Sequence, residues 1–380
     1  MTALRVGIAG TGTIGSIHAR SSRLAGATLA GVAAGSPARA EEAARRLGAE
    51  RSFDSAQALV VDPEIDVVHI CVPNRLHVRL ALAALEAGKD VICEKPLGIS
   101  RREALDLARA VEETGRVLTV PFIYRFYPTV REARARVAAD RLGPLHLFEG
   151  VYLQGWLTSG SDTDWRVDSH DGGPSRAFAD IGSHWCDLVE FVSGHRIVEL
   201  SARTHIAVPR RQGAPVHTED IAVVQFVTDH DAVGSVVVSQ VSHGPKNQLR
   251  FRLDGARGSV EFDQERPEAL LVGRRDGSVT TVPRDPAVLS PAAAPYSVLP
   301  AGHPQGFHEC FERFVAETYH WITTGERPEG LPDIADGMRA AALTDAVLDA
   351  ARQQAWINVG PTAEPMTSSN AVATAAARLN

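Results

Sequence analysis

The sequence predicts an α/β domain wound around a parallel sheet over residues 1–125, followed over 126–360 by an α+β domain with a large open, mainly antiparallel sheet. Three observations point there. Short β-branched apolar runs alternate with helical stretches as far as about residue 125, the pattern of a doubly wound sheet. Beyond it, strand-like runs follow one another through turns with few helices between them. A length of 380 residues also suits two cores rather than one.

The first domain opens on the apolar run 4–9, which ends in Gly10-Thr11-Gly12-Thr13-Ile14-Gly15 before a helix-compatible stretch to Leu24. The first glycine allows a tight turn, the second lets backbone approach a pyrophosphate, and the third permits close helix packing. Strand, glycines and helix in that order form the dinucleotide fingerprint, with the helix N–H groups offered to phosphates. The second strand, 28–34, should end on an acid for the ribose hydroxyls, but reads Ala34-Gly35-Ser36-Pro37-Ala38-Arg39. A hydroxyl and a guanidinium can hydrogen-bond a 2′-phosphate that a carboxylate would repel, so Ser36 and Arg39 favour NADP(H) over NAD(H). Arg39 could equally decorate its helix.

A buried strand over 66–72 turns through Pro73-Asn74-Arg75-Leu76-His77 into an Ala/Leu-rich helix closed by Gly88. The next run, Val91-Ile92-Cys93, stops on Glu94-Lys95-Pro96. Ligands of open α/β sheets bind beyond the carboxyl ends of the strands, and proline biases the preceding lysine toward extended geometry. Taken alone, Lys95 is as consistent with an idle turn lysine. Ser100 and Glu103 form a capping box for a helix to Thr114, and 117–123 reads as a further strand.

After Tyr124-Arg125-Phe126-Tyr127-Pro128 and one helix come strand candidates at 145–153, 197–204, 220–227, 234–241, 248–253 and 259–263. Gln248, Arg250 and Arg252 alternate with Leu249, Phe251 and Leu253, marking one buried and one wetter face, the latter open to solvent or to a second subunit. Helices return at 307–323 and 334–354, the second with Asp333 as cap, and 361–380 reads as a loose tail.

One helix interrupts the second domain at 178–188 and carries Asp180 and His184 four positions apart, on one face. A histidine beside a carboxylate suits proton abstraction from an alcohol; a capping aspartate and a satisfied core histidine are the plainer alternatives. Upstream lie Tyr152, Gln154, Trp156, Trp165, Arg166 and His170, whose flat rings and hydrogen-bonding groups match a sugar. A metal site is not expected, because no third ligand has suitable spacing and His303 and His308 lie far along the chain.

A net charge of −7 without a basic block argues against nucleic-acid or membrane partners. The four scattered cysteines read as reduced thiols of a cytoplasmic protein, and neither a membrane span nor a signal peptide is expected.

These motifs, in this order, resemble the glucose-fructose oxidoreductase, inositol dehydrogenase and rhizopine-catabolism (Gfo/Idh/MocA) oxidoreductase family over about residues 4–360. They are Gly10 to Gly15; Pro73-Asn74 with His77; Glu94-Lys95-Pro96; Tyr124-Arg125-Phe126; and Asp180-Ile181-Gly182-Ser183-His184. The resemblance implies a Rossmann domain, then a domain whose sheet joins homodimers or homotetramers. It also implies Lys95 beside the nicotinamide and the substrate hydroxyl, with Asp180 and His184 completing the catalytic set. Cofactor contacts are expected from Gly10, Thr11, Gly12, Thr13, Ile14, Gly15, Ser36, Arg39, Pro73, Asn74, His77, Glu94, Lys95 and Arg125. Substrate contacts are expected from Lys95, Tyr152, Gln154, Trp165, Arg166, Asp180 and His184.

Tyr152-Leu153-Gln154 with Trp156, then Asp164-Trp165-Arg166, is most similar to the anhydrosugar (levoglucosan-type) and pyranoside dehydrogenase branch. The expected reaction moves a hydride between a ring hydroxyl carbon of a sugar, anhydrosugar or cyclitol and NAD(P). Two rival expectations remain: a glycosidase or lyase that oxidises the sugar transiently without net redox, and a non-catalytic nicotinamide sensor.

Overall fold

The computed structural model describes residues 3–360; the expected loose tail over 361–380 lies outside them. The chain forms two compact units. One runs from the N-terminus to Pro121 and takes up Phe311–Arg339; the other comprises Phe122–Cys310 with Ala340–Gly360.

The first unit is built on β1 (Arg5–Ala9), β2 (Thr28–Ala33), β3 (Arg51–Phe53), β4 (Val67–Ile70), β5 (Asp90–Cys93) and β6 (Leu118–Thr119). They pair in the order β3-β2-β1-β4-β5-β6, all parallel. Strand direction of winding reverses between β1 and β4, the place where such sheets bind ligands. Its helices are α1 (Thr13–Leu24), α2 (Pro37–Leu47), α3 (Ala56–Val60), α4 (His77–Glu86) and α5 (Arg101–Thr114). Local chemistry sets their ends. Ser36 caps α2 with Pro37 at its first position and left-handed Gly48 after it. Ser100 Oγ accepts from the Glu103 amide while the Glu103 carboxylate turns back to the Ile99 amide. β3 and α3 are too short to leave a periodic signature in the sequence. The expected strand over 117–123 is cut to two residues, because the Val120 amide bonds the Pro332 carbonyl instead of the sheet.

The second unit holds α6 (Pro128–Ala138), β7 (Leu145–Leu153), α7 (Ser169–Gly172), α8 (Ser183–Ser193) and β8 (Ile197–His205). A two-residue ribbon, β9 (Arg210–Arg211) with β10 (Ala214–Pro215), precedes β11 (Ile221–Thr228), β12 (Val233–Ser239), β13 (Gln248–Gly255) and β14 (Gly258–Asp263). Then come β15 (Ala269–Arg274) and β16 (Val279–Pro283), and, after α9 (Phe307–Thr324), which belongs mostly to the first unit, and α10 (Ile334–Gln353), whose start does too, β17 (Ile357–Asn358). Nine of these strands form one sheet in the order β16-β15-β14-β13-β7-β12-β11-β8-β17. It is antiparallel except where β12 runs parallel to β7. β15 (ALLVGR) and β16 (VTTVP) are short and show no period-two apolar alternation.

Helix α8 docks on this sheet at one glycine. A Cβ on Gly150 of β7 would meet the Trp185 indole nitrogen at 2.2 Å, so glycine leaves the groove that the indole fills. Trp185 then donates from Nε1 to the Arg250 carbonyl at 2.9 Å. The opposite face of the sheet exposes Leu147, Val223, Val233, Val237 and Leu271. No helix among the described residues is long and apolar enough to cross a membrane.

Candidate functional site

In the first unit the three glycines divide their work as their spacing predicts. Gly10 adopts φ 101°, and a Cβ there would lie 2.3 Å from the Cys71 carbonyl; at Gly15 it would lie 1.9 Å from the Gly10 carbonyl. Both are demanded by the chain itself. At Gly12 a Cβ would meet no protein atom within 4 Å, so the open backbone there fits an incoming pyrophosphate rather than a packing need. Thr11, Thr13 and Ile14 complete the turn into α1, and Arg46 of α2 steadies it by donating to the Thr11 carbonyl and Ser16 hydroxyl, both at 3.0 Å.

Ser36 and Arg39 sit at the N-terminus of α2, where the Ser36 Oγ accepts the Arg39 amide at 3.4 Å. The hydroxyl hydrogen of Ser36 is not used by that bond. Pro73 leads into a single turn, Asn74–Leu76, with Asn74 buried. His77 ties that turn to the next one, its ring nitrogens 2.8 Å from the carbonyls of Pro96 and Val72. Burial pulls its pKa below the usual histidine range despite those carbonyls.

Glu94 and Lys95 follow β5 at the carboxyl edge of the parallel sheet, and the Lys95–Pro96 peptide is cis. The Glu94 carboxylate is buried; its Oε2 accepts from the Lys95 amide at 3.2 Å and its Oε1 lies 3.1 Å from His18 Nε2. Burial alone would raise its pKa, but His18, Lys95 and His77 hold it below the ordinary value.

The second unit carries Asp180 and His184 where a π-turn leads into an α-helix. Phe178–Gly182 forms one π-turn, with the Ser183 amide reaching back to the Phe178 carbonyl, before α8 continues. Such turns recur at functional sites because they re-aim side chains without ending the helix. Asp180 Oδ2 accepts from Gln240 Nε2 at 2.8 Å, and its Oδ1 lies 3.6 Å from Arg166 Nε. Arg166 also pairs with Asp164 at 3.0 Å and lies over the Trp165 ring, 4.4 Å from its centroid. His184, next to the docked Trp185, is buried with its ring edge-on to Phe122 and Tyr124 at 5.5 and 5.1 Å, and tilted against Tyr152 at 6.5 Å.

A closed polar triangle stands beside it. Tyr152 donates to Asn247 Oδ1 at 2.9 Å, Asn247 donates to the Tyr124 hydroxyl at 3.2 Å, and the two phenols lie 2.6 Å apart. Since Tyr152 gives its hydrogen to Asn247, Tyr124 gives its own to Tyr152. Burial raises both phenols' pKa values, and Asp180 adds to it, so both stay neutral. Gln154 extends the network by donating to Asn247 at 2.7 Å and accepting from the half-exposed Trp156 at 2.8 Å.

The structure thus gathers Asp180, His184, Tyr152, Gln154, Trp165 and Arg166 within the second unit, and the fingerprint, Ser36, Asn74, His77, Glu94 and Lys95 within the first. Arg125 is buried in the second unit, its guanidinium bound to Asp187 and lying over the Phe191 ring. Asn247 and Gln240 had no signal in the sequence, since an isolated amide in a strand or turn marks nothing by itself. Ligand atoms of His195, Asp229 and His230 lie within 4.8 Å of one another, the two imidazoles stacking with 4.4 Å between centroids and 23° between planes.

A family model described as an oxidoreductase family with an NAD-binding Rossmann fold matches residues 4–122, and one for the GFO/IDH/MocA C-terminal domain matches 130–261. Levoglucosan dehydrogenase from Pseudarthrobacter phenanthrenivorans is 31% identical over 86% of this chain and 88% of its own length. A structure of levoglucosan dehydrogenase in complex with NADH and L-sorbose superposes with a TM-score of 0.89 at 30% identity, over 95% of this chain and 100% of that one. An inositol dehydrogenase homolog from Azotobacter vinelandii, complexed with NADH and myo-inositol, gives 0.85 at 27% identity, over 94% and 98%.

Proposed function

We propose, from the premise that this chain belongs to the Gfo/Idh/MocA oxidoreductase family, that it is an NAD(P)-dependent dehydrogenase. Its substrate is a sugar, anhydrosugar or cyclitol, oxidised at a ring hydroxyl. The observation that carries the reading is the Asp180–His184 pair at the π-turn, with the carboxylate held by Gln240 and Arg166 and the imidazole set among aromatic rings.

A nicotinamide bound along the open glycine turn supplies the hydride acceptor. His184 removes the hydroxyl proton, and Asp180 orients it or grips a neighbouring hydroxyl. Lys95 donates to the reacting oxygen, where a cation stabilises developing alkoxide charge. The Gln154–Asn247–Tyr124 network and the Trp156 and Trp165 rings offer the alternating flat and polar surfaces that a pyranose ring presents. The close likeness to levoglucosan dehydrogenase favours an anhydrosugar. Ser36 and Arg39, standing where an acid would bind ribose hydroxyls, favour NADP(H). A reduction assay of NAD⁺ and NADP⁺ against pyranoses, anhydrosugars, glycosides and inositols tests this; no reduction of either cofactor by any of them would refute it.

The chain also assembles as a homo-oligomer through the outer face of its large sheet. In support, exposed Leu147 is paired with Val233 and exposed Val223 with Val237, giving adjacent apolar rows on that face. Four free cysteines fit a reducing, cytoplasmic setting. Light scattering on the purified protein reads the assembly directly, and a monomer would sink it.

A further inference from the structure

Behind Glu94 the first unit carries a buried chain of titratable groups that the reaction above does not use. Glu94 Oε1 lies 3.1 Å from His18 Nε2, His18 Nδ1 lies 2.8 Å from His69 Nδ1, and His69 Nε2 lies 2.8 Å from the Tyr319 hydroxyl. Tyr319 donates to Ser22 Oγ at 2.9 Å, and Ser22 donates to the His18 carbonyl at 2.8 Å. His18, His69 and Ser22 are wholly excluded from solvent, and Glu94 and Tyr319 are buried.

Counting protons along this chain fixes how many it must hold. A carbonyl only accepts, so the Ser22 hydrogen is committed to His18 and the Tyr319 hydrogen to Ser22. Tyr319 must therefore receive from His69 Nε2. Three contacts, Glu94 to His18, His18 to His69 and His69 to Tyr319, each need a proton from the rings or the carboxyl group. Two neutral imidazoles and a carboxylate supply only two. With two, bare acceptor atoms would face each other across about 3 Å in a buried place, an arrangement that costs the full desolvation of both.

We propose that His18 is an imidazolium paired with ionised Glu94, that His69 is neutral with its hydrogen on Nε2, and that the pair is a positioning device for Lys95. The charge falls on His18 because that ring, not His69, touches the carboxylate. Glu94 then holds the Lys95 amide through Oε2. The surroundings agree. Burial, then the charge of His18, pulls His69 well below the usual histidine range, while His18, Lys95 and His77 keep Glu94 low against its own burial. Of the neighbouring groups, the thiols of Cys71 and Cys93, raised by burial and by Glu94, and the Tyr319 phenol, raised by burial, stay neutral, while Lys95 and His77, the latter with both ring nitrogens on carbonyls, lie on the other side of Glu94. The positioning role rests on the assignment of Lys95 to catalysis; the proton count does not.

Neutron diffraction from the deuterated full-length protein near neutral pD reads the count directly. Deuterons are expected on both ring nitrogens of His18 and on Nε2 alone of His69. Tyr319→Phe removes one acceptor and one obligatory proton, so His18 should keep only the Nε2 deuteron and His69 should carry its own on Nδ1. That variant has lost a positive charge behind Lys95, so its kcat/KM profile should move to higher pH, whereas mere loosening would lower kcat/KM equally at every pH. One deuteron on His18 in the parent protein, two in the variant, or an unmoved profile each overturns the proposal. If Tyr319→Phe does not fold, the parent map decides alone. If no sugar reduces either nicotinamide, the functional reading falls and the map still decides this one.

Discussion

Gln240 donates to Asp180 across 2.8 Å, and it can point its amide only one way. Its Oε1 accepts from Arg176 at 3.4 Å, and a guanidinium never accepts, so Nε2 must face the carboxylate. Arg176 is itself fixed, sharing Asp220 with Arg211 in a cluster closed to solvent. The orientation of a predicted catalytic carboxylate is therefore set two residues back, by buried charge.

Gln240→Leu should lower kcat/KM by roughly ten- to a hundredfold, the equivalent of one hydrogen bond to a charged group at about 1.5–3 kcal/mol. Nicotinamide affinity should hold. Steady-state kinetics beside cofactor titration separates the two, and an unchanged kcat/KM would remove Gln240 from the site.

His184→Ala should cost roughly 10²- to 10⁴-fold in kcat, the usual contribution of a positioned general base. Because the ring is packed against Phe122 and Tyr124, His184→Asn is the companion variant that keeps more of the volume. Near-normal turnover in both would hand the proton to another group.

Gly12→Ala and Gly15→Ala should part company. At Gly12 the backbone sits at φ −68°, ψ −166°, open to any residue, and the new methyl meets nothing in the chain. The melting temperature should stay while dinucleotide affinity falls. At Gly15 the methyl would press on the Gly10 carbonyl, so both should fall. Calorimetry and cofactor titration on the pair give the answer.

Ser36→Asp should shift the NADP/NAD preference toward NAD by about tenfold or more, since a carboxylate repels a 2′-phosphate and an aspartate still caps α2. Competition kinetics with both cofactors measures it. A preference that stays put would place the 2′ position elsewhere.

Asp220 links stability to pH. Burial pushes its carboxyl up, but hydrogen bonds from Arg176 and the Val208 amide, with Arg211 beside them, leave it below the usual aspartate value. A folded pKa below the unfolded one gives stabilisation that is complete above about pH 4–5 and is lost as pH falls through the folded value. Asp220→Asn should cost about 3–5 kcal/mol near neutrality, because two buried cations lose their shared partner. Melts from pH 7 to pH 3 should fall more steeply for the parent than for the variant.

What could be read from the sequence was what is local in the chain. The fingerprint, the Glu94-Lys95-Pro96 stop, the Ser100 cap and the Asp180/His184 spacing each lie within a few residues, where turn chemistry and periodicity act. Asp333 capping α10, its Oδ1 accepting the Ala335 amide at 2.9 Å, belongs with them. What could not be read depends on chain separation. His18 and His69 are 51 positions apart and His69 and Tyr319 are 250 apart, so no window holds the proton chain. Asn247 meets Tyr152 only because β13 lies beside β7, and the parallel step from β7 to β12 has no signature in either strand.

The return of Phe311–Arg339 to the first unit has a consequence for how the protein is made. Val120 bonds Pro332, Thr119 meets Thr318 at 3.2 Å, and the Tyr319 hydroxyl closes the histidine chain, so the nucleotide-binding half waits for segments translated after eight of the nine strands of the large sheet. Domains of most nascent chains settle in order of synthesis. Here the first domain to leave the ribosome is not complete until most of the second has been made, and a ribosome halted before residue 311 would present a dinucleotide fold still missing part of its own interior.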